Sequence, residues 1–212
     1  MAAANNLLTG TVPVLWPETL THLDMSGNDM NGTIPTQLCN FPDLETLILS
    51  GNPFERGTIP SCLANLVKLR DFEISGAQLS GKIPSQIDQL SDLNVLDISN
   101  NGLTGTLPSM LGRLSKMVRL HLDENNFRGS IPSEFGSMNL IQKLYLDFNL
   151  LTGTVPSSFV NLDELQELTL SDNALSGSVP EGMCSFESIN LTYQDVGCNL
   201  VCDCCGDANI CP

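Results

Sequence analysis

The hexapeptide LTGTVP stands at residues 8–13 and again at 151–156, with near-copies MNGTIP at 30–35, GTIP at 57–60, LSGKIP at 79–84, LTGTLP at 103–108, FRGSIP at 127–132 and LSGSVP at 175–180. The apolar residues that open these copies, Leu8, Met30, Phe54, Leu79, Leu103, Phe127, Leu151 and Leu175, lie 22, 24, 25, 24, 24, 24 and 24 residues apart. A fixed period of this length is the mark of a solenoid, because one coil cannot bury its apolar side alone and stacked coils can. The period runs without a linker, so the chain reads as one unit. A half repeat occupies residues 5–19, seven full repeats span 20–188 from Leu20, Leu44, Leu69, Leu93, Met117, Ile141 and Leu165, and a degenerate repeat reaches 191. The remaining segment, 192–212, reads as a cysteine-rich C-terminal cap.

One unit, LNVLDISNNGLTGTLPSMLGRLSK from Leu93, shows the local physics. Around Val95–Ser99 apolar and polar residues alternate, as in a half-buried strand, which predicts Leu96 and Ile98 inward and Val95, Asp97 and Ser99 outward. Asn101 follows, at a position shared by Asn28, Asn52, Asn125, Asn149 and Asn173. A buried asparagine is costly unless its amide satisfies backbone groups freed at the strand end, so stacked copies are expected to form a ladder. Ala77 interrupts it, which predicts a weaker or water-filled rung. The glycine of each hexapeptide marks a bend, and its proline removes an amide that would need a partner.

The unit L-x-x-L-x-L-x-x-N-x-L-x-G-x-I-P-x-x-L-x-x-L-x-x resembles the plant-type leucine-rich repeat. That resemblance implies an α/β solenoid shaped as a right-handed horseshoe or arc. A parallel β-sheet lines its concave side, a second short sheet forms at the G-x-I-P segments, and mostly 3-10 turns cover the convex side. The tail CNLVCDCCGDANICP is similar to those of microalgal, diatom-like leucine-rich repeat proteins. Its expected role is to cover the apolar end and open sheet edge of the last coil.

Composition narrows the partners. The formal charge is -15, from 24 acidic and 9 basic residues, which disfavours nucleic acid and anionic lipid surfaces. Eight cysteines, Cys39, Cys62, Cys184, Cys198, Cys202, Cys204, Cys205 and Cys211, form an even set crowded at one end, as in a disulfide framework made in an oxidising compartment. Cys39 follows the inward Leu38 and Cys62 precedes the equivalent Leu63, so these two are expected to face each other across one coil step. Sequons at Asn31 and Asn190 agree with secretion and predict glycosylation there. The expected location is extracellular, secreted or at the cell surface. No apolar run of membrane-spanning length occurs, and MAAANNLL lacks the features of a signal peptide, so any membrane link is expected through sequence upstream of a chain that starts inside a repeat.

The outward strand positions are the functional candidates, because the scaffold leaves them free to vary. Early coils carry small or acidic residues, such as Asp24, Ser26, Ser50, Glu73 and Ser75. Coils five and six carry Arg119, His121, Asp123, Glu124, Lys143, Tyr145, Asp147 and Phe148, including residue types common in binding hot spots. Arg119, His121, Asp123, Lys143, Tyr145, Asp147 and Phe148 are the predicted ligand-binding residues. Two cations beside two aromatic rings suggest an acidic peptide or a sugar. His121 has Asp97, Ser99 and Tyr145 as expected neighbours, but no oxyanion loop or deep pocket accompanies them, so no catalytic residue, cofactor or metal is assigned. Threonine files, Thr9/Thr11, Thr104/Thr106 and Thr152/Thr154, with Thr33 and Thr58, resemble ice-binding surfaces but are interrupted by Arg56, Lys82 and Arg128. The sequence thus predicts a non-enzymatic extracellular recognition module, a receptor ectodomain or secreted binding protein, that binds a protein, peptide or polysaccharide on its concave face. Inhibition of a secreted cell-wall-degrading enzyme and ice binding are the alternatives.

Overall fold

The computed structural model of the protein describes residues 1–185, 190–192 and 200–201. Strands at His22–Asp24, Thr46–Ile48, Asp71–Glu73, Val95–Asp97, Arg119–His121, Lys143–Tyr145, Glu167–Thr169 and Asn190–Thr192 form one parallel eight-stranded sheet in sequence order. Its register pairs equivalent residues of successive coils, Leu96 with Leu120 and Leu120 with Leu144. The inward leucines therefore stack in files: Leu23, Leu47, Leu96, Leu120, Leu144 and Leu168 are all buried, with Phe72 taking the place in coil three. Removing each such side chain from water is worth about 1.5–3 kcal/mol. The opposite side of each coil is a five-residue 3-10 turn, as in Ser109–Arg113 and Ser133–Ser137, entered from an extended proline such as Pro108 or Pro132. Among the described residues the helical layer is made entirely of such turns.

The asparagine ladder forms as expected. Asn125 Nδ2 donates to the carbonyls of Ile98, Leu122 and Asp123, and its Oδ1 accepts the amide of Leu103 in the preceding coil. Asn149 repeats this pattern one coil on, accepting from Phe127. At Ala77 the side-chain rung is missing. Ala77 is fully buried in the core, and the amide of Phe54, which an asparagine there would have accepted, turns to the carbonyl of Asn52 in its own coil (2.9 Å). At this rung a backbone bond stands where the other coils have a side-chain one.

The G-x-I-P segments form the second sheet, in pieces. Thr9–Gly10 pairs with Asp29–Met30, and Ser80–Gly81, Gly102–Gly105, Asn126–Gly129, Leu150–Gly153 and Ala174–Leu175 form a five-stranded sheet. Coil two, one residue longer than the 24-residue norm, contributes no strand and separates them. The hexapeptide glycine has two reasons to be glycine. Gly81, Gly129 and Gly177 have φ of 82°, 79° and 85°, and a Cβ on them would come within 3.0, 3.2 and 3.1 Å of the Thr58, Thr106 and Thr154 methyls of the preceding coil. The repeated T-G-T spelling is thus a stacking device.

Cys39 and Cys62 are joined as expected, with Cα atoms 5.7 Å apart, tying the convex turns of the first two full coils. The side chain of Cys184, and Cys198, Cys202, Cys204, Cys205 and Cys211, lie outside the described residues. Backbone pairing continues beyond coil seven, where Leu168 aligns with Leu191 and Gly177 with Leu200.

Candidate functional site

The sheet register turns the outward residues into files. The first file reads His22, Thr46, Asp71, Val95, Arg119, Lys143, Glu167, and the second reads Asp24, Ile48, Glu73, Asp97, His121, Tyr145, Thr169. Two residues further along each coil come Ser26, Ser50, Ser75, Ser99, Asp123, Asp147 and Ser171, and next to them Gly27, Gly51, Gly76, Asn100, Glu124, Phe148 and Asp172. The seven predicted residues therefore occupy adjoining positions on two adjacent coils.

Within this patch the side chains are organised by one another. The His121 and Tyr145 rings stack with centroids 4.3 Å apart and planes at 11°. The Tyr145 hydroxyl donates to Glu167, which also holds the Lys143 ammonium at 2.8 Å. That contact pulls the Glu167 carboxyl below its usual range and raises Lys143, while burial and then Glu167 push the Tyr145 phenol up. The Thr169 hydroxyl donates to Asp147. Arg119 reaches across coil four to within 3.9 Å of Glu73 in coil three. Val95, which Arg119 follows in the first file, is only 6% exposed, a departure from the solvated position expected for it.

Two buried polar atoms in the patch, His121 Nε2 and Asp123 Oδ1, have no hydrogen-bond partner. Burial, reinforced by Asp147, raises the Asp123 carboxyl to about 6. Burial and Asp97 also raise Glu73, against the pull of Arg119. Asp97 goes the other way: burial opposes it, but the facing His121 ring and the Ser99 hydroxyl and amide outweigh burial and hold it low.

The cations predicted to attract an acidic ligand are already engaged, Arg119 with Glu73 and Lys143 with Glu167. Around them stand Asp71, Asp97, Asp123, Glu124, Asp147 and Asp172. Carboxylates outnumber cations on this face, where the sequence pointed to two cations beside two aromatic rings. Sequence reasoning missed Glu73, Glu167 and Thr169 as parts of the patch. The signal was present in the period, since Glu167 stands one unit after Lys143, but reach across two coils, as from Arg119 to Glu73, has no counterpart in a nearest-neighbour reading.

The arrangement around His121 does not activate a nucleophile. The Ser99 hydroxyl donates to Asp97 at 2.6 Å, and His121 Nδ1 stands 3.9 Å from the other Asp97 oxygen. Among the described residues no group of three or more His, Cys, Asp or Glu is placed to hold a metal ion, and no helix is long and apolar enough to cross a membrane. On the threonine flank, hydroxyls of Thr104 and Ser80 donate to the carbonyls of Gly81 and Gly57 in the preceding coils (3.0 and 3.1 Å). With the methyls of the second file seated against glycines, these residues have work within the fold.

Residues 22–170 match the family model described as a leucine-rich repeat region, and residues 164–186 match a leucine-rich repeat. The receptor protein-tyrosine kinase CEPR2 of Arabidopsis thaliana is 37% identical over 73 residues, which are 34% of this chain and 8% of that protein. The chain thus spans under a tenth of that curated relative. The Arabidopsis receptor kinase HAESA, solved in complex with the peptide hormone IDA and the co-receptor SERK1, is similar over 94% of this chain and 36% of its own, with 31% identity and a TM-score of 0.86. A plant ice-binding protein is similar over 81% of this chain and 62% of its own, with 29% identity and a TM-score of 0.66.

Proposed function

The chain belongs to the leucine-rich repeat family, and from that premise we propose that it is a non-enzymatic extracellular recognition module whose concave face in coils five and six binds a peptide or protein ligand. The observation that carries this reading is the patch of Arg119, His121, Asp123, Lys143, Tyr145, Asp147 and Phe148. It gathers stacked rings, unpartnered buried polar atoms and an exposed phenylalanine on two coils, while coils one and two present mostly small side chains. Polar atoms left without partners are expensive in a fold and informative about a site. The peptide-binding receptor kinase among the similar structures supports the ligand class. Disulfide bonding at Cys39 and Cys62 supports the extracellular location. A glycan on exposed Asn31 would stand on the threonine flank and leave the concave face open.

The test is selection of the folded, oxidised chain against a random peptide display library and a glycan array, followed by affinity measurement on a double variant. Tyr145→Ala with Phe148→Ala is expected to weaken binding of selected ligands by about 30-fold, the scale of a hot-spot loss, with Ser50→Ala and Ser75→Ala leaving it unchanged. Unchanged affinity in the Tyr145/Phe148 variant would overturn the assignment. A thermal-hysteresis measurement separates the ice-binding alternative, and no thermal hysteresis is expected of a recognition module.

A further inference from the structure

At the rim between the two sheets, one residue of every full coil takes a left-handed backbone. In coils one to three it is glycine, Gly27, Gly51 and Gly76, with φ of 61°, 66° and 62°. In coil six it is Phe148, at φ 50°. A bulky side chain is disfavoured there, and such strain persists where the surroundings impose it. The surroundings do impose it: the Phe148 amide bonds to the Ser171 carbonyl, its own carbonyl accepts from Asn125, and the next residue, Asn149, is locked in the buried ladder. The ring gains little for the fold, being 51% exposed, and Leu150 beside it on the far side of Asn149 is 59% exposed. Along the rim file, Phe148 stands between Glu124 and Asp172, one coil to either side, with Asp147 adjoining.

We infer that Phe148 and Leu150 form an apolar ledge between two carboxylates that receives an extended peptide carrying an aliphatic or aromatic residue with a basic residue two positions away on each side. This rests on the concave face and its rim being the recognition surface, and it names the chemistry of the occupant. The spacing fits. Glu124 and Asp172 are two coil steps apart, about 10 Å, and the two basic side chains, four residues apart on an extended peptide, stand about 13 Å apart, a difference that flexible lysine stems absorb. The charge fits as well, because Arg119 and Lys143 are paired inside the patch and leave the rim carboxylates to set its sign. An acidic peptide would meet Glu124, Asp147 and Asp172 with like charge.

Three dye-labelled synthetic peptides with cores Lys-Gly-Leu-Gly-Lys, Glu-Gly-Leu-Gly-Glu and Lys-Gly-Ser-Gly-Lys, titrated against the oxidised chain by fluorescence anisotropy, test this directly. The first is expected to bind about tenfold tighter than either other, and to weaken as salt rises from roughly 50 to roughly 300 mM. Phe148→Asn, which puts at this site the residue that coil four carries as Asn100, is expected to reduce that binding about tenfold while its melting temperature stays level or rises by about 2–4 °C, through relief of backbone strain. Phe148→Tyr should keep the binding. Absence of binding, equal binding of the three peptides, or a lower melting temperature in Phe148→Asn would overturn the inference. If the peptides bind without regard to charge or to Phe148, yet Tyr145→Ala weakens them, the concave-face reading stands and only the rim ledge falls. If neither Tyr145→Ala nor Phe148→Asn changes binding, both fall.

Discussion

Coils two and three and coils five and six are irregular on opposite faces. In the former pair the inside departs from the repeat: an extra residue breaks the second sheet, Ala77 replaces a ladder asparagine, and Cys62 ties the turn of coil two to Cys39. Beyond the strands their outside is plain, with Ser50, Ser75, Gly51 and Gly76, and coil three lends Glu73 to Arg119 of coil five. In the latter pair the inside follows the repeat closely, through Asn125, Asn149, Phe127 and Leu151. Their outside holds the unpartnered atoms of His121 and Asp123 and the left-handed Phe148. Departures on the inner face are absorbed where they arise, by backbone bonds and a covalent tie. Departures on the outer face are left standing, on the coils whose frame is regular enough to carry them, as expected where strain serves a site.

The largest expected effect probes the inner face. Leu47→Ala in coil two and Leu144→Ala in coil six remove equally buried side chains, and each should cost about 2–5 kcal/mol in chemical denaturation. A much smaller cost for Leu47→Ala would mean that the covalent tie, and not packing, holds coil two. Replacing Cys39 and Cys62 together by serine should cost about 3 kcal/mol and speed hydrogen exchange in coils one and two while leaving coils five and six protected. Uniformly faster exchange would break the distinction between the two regions.

A smaller effect probes the outer face through pH. Because burial raises Asp123 from 3.8 to about 6, the folded chain holds this proton more tightly than the unfolded chain. Its contribution to stability is therefore greatest below the unfolded value and falls as pH rises toward 6, by about 1–3 kcal/mol in all. Asp123→Asn should flatten that fall and leave the protein more stable than its parent at pH 7, as measured by urea unfolding across pH 4–7. An undiminished fall would place its origin elsewhere, with Glu73, also raised, the next group to replace.

The frame of this fold was legible because a solenoid writes its contacts at fixed sequence intervals. Leu96 inward and Asp97 outward, the asparagine ladder and the Cys39–Cys62 pair all follow from a residue's place in the unit. The site was legible only as a set of positions. Which side chains pair there depends on how far each reaches. Arg119 crosses a whole coil to Glu73, and Lys143 turns to Glu167, so carboxylates set the sign of the patch where the sequence pointed to two cations beside two rings. Ala77 shows the same limit inside the core, since a missing rung can be closed by backbone that no side-chain pattern reveals.

The central claim is that the outward residues of coils five and six serve recognition and not the fold. Transplanting the plain surface of coils two and three onto them, by Asp123→Ser, Asp147→Ser and Phe148→Gly in one chain, tests it by thermal unfolding at pH 7. The triple variant should melt at the parental temperature or above it, while peptide ligands selected on the parent no longer bind. A melting temperature lower by more than about 4 °C, equivalent to a loss of about 1 kcal/mol or more, would show that these residues hold the solenoid together, contradicting the claim.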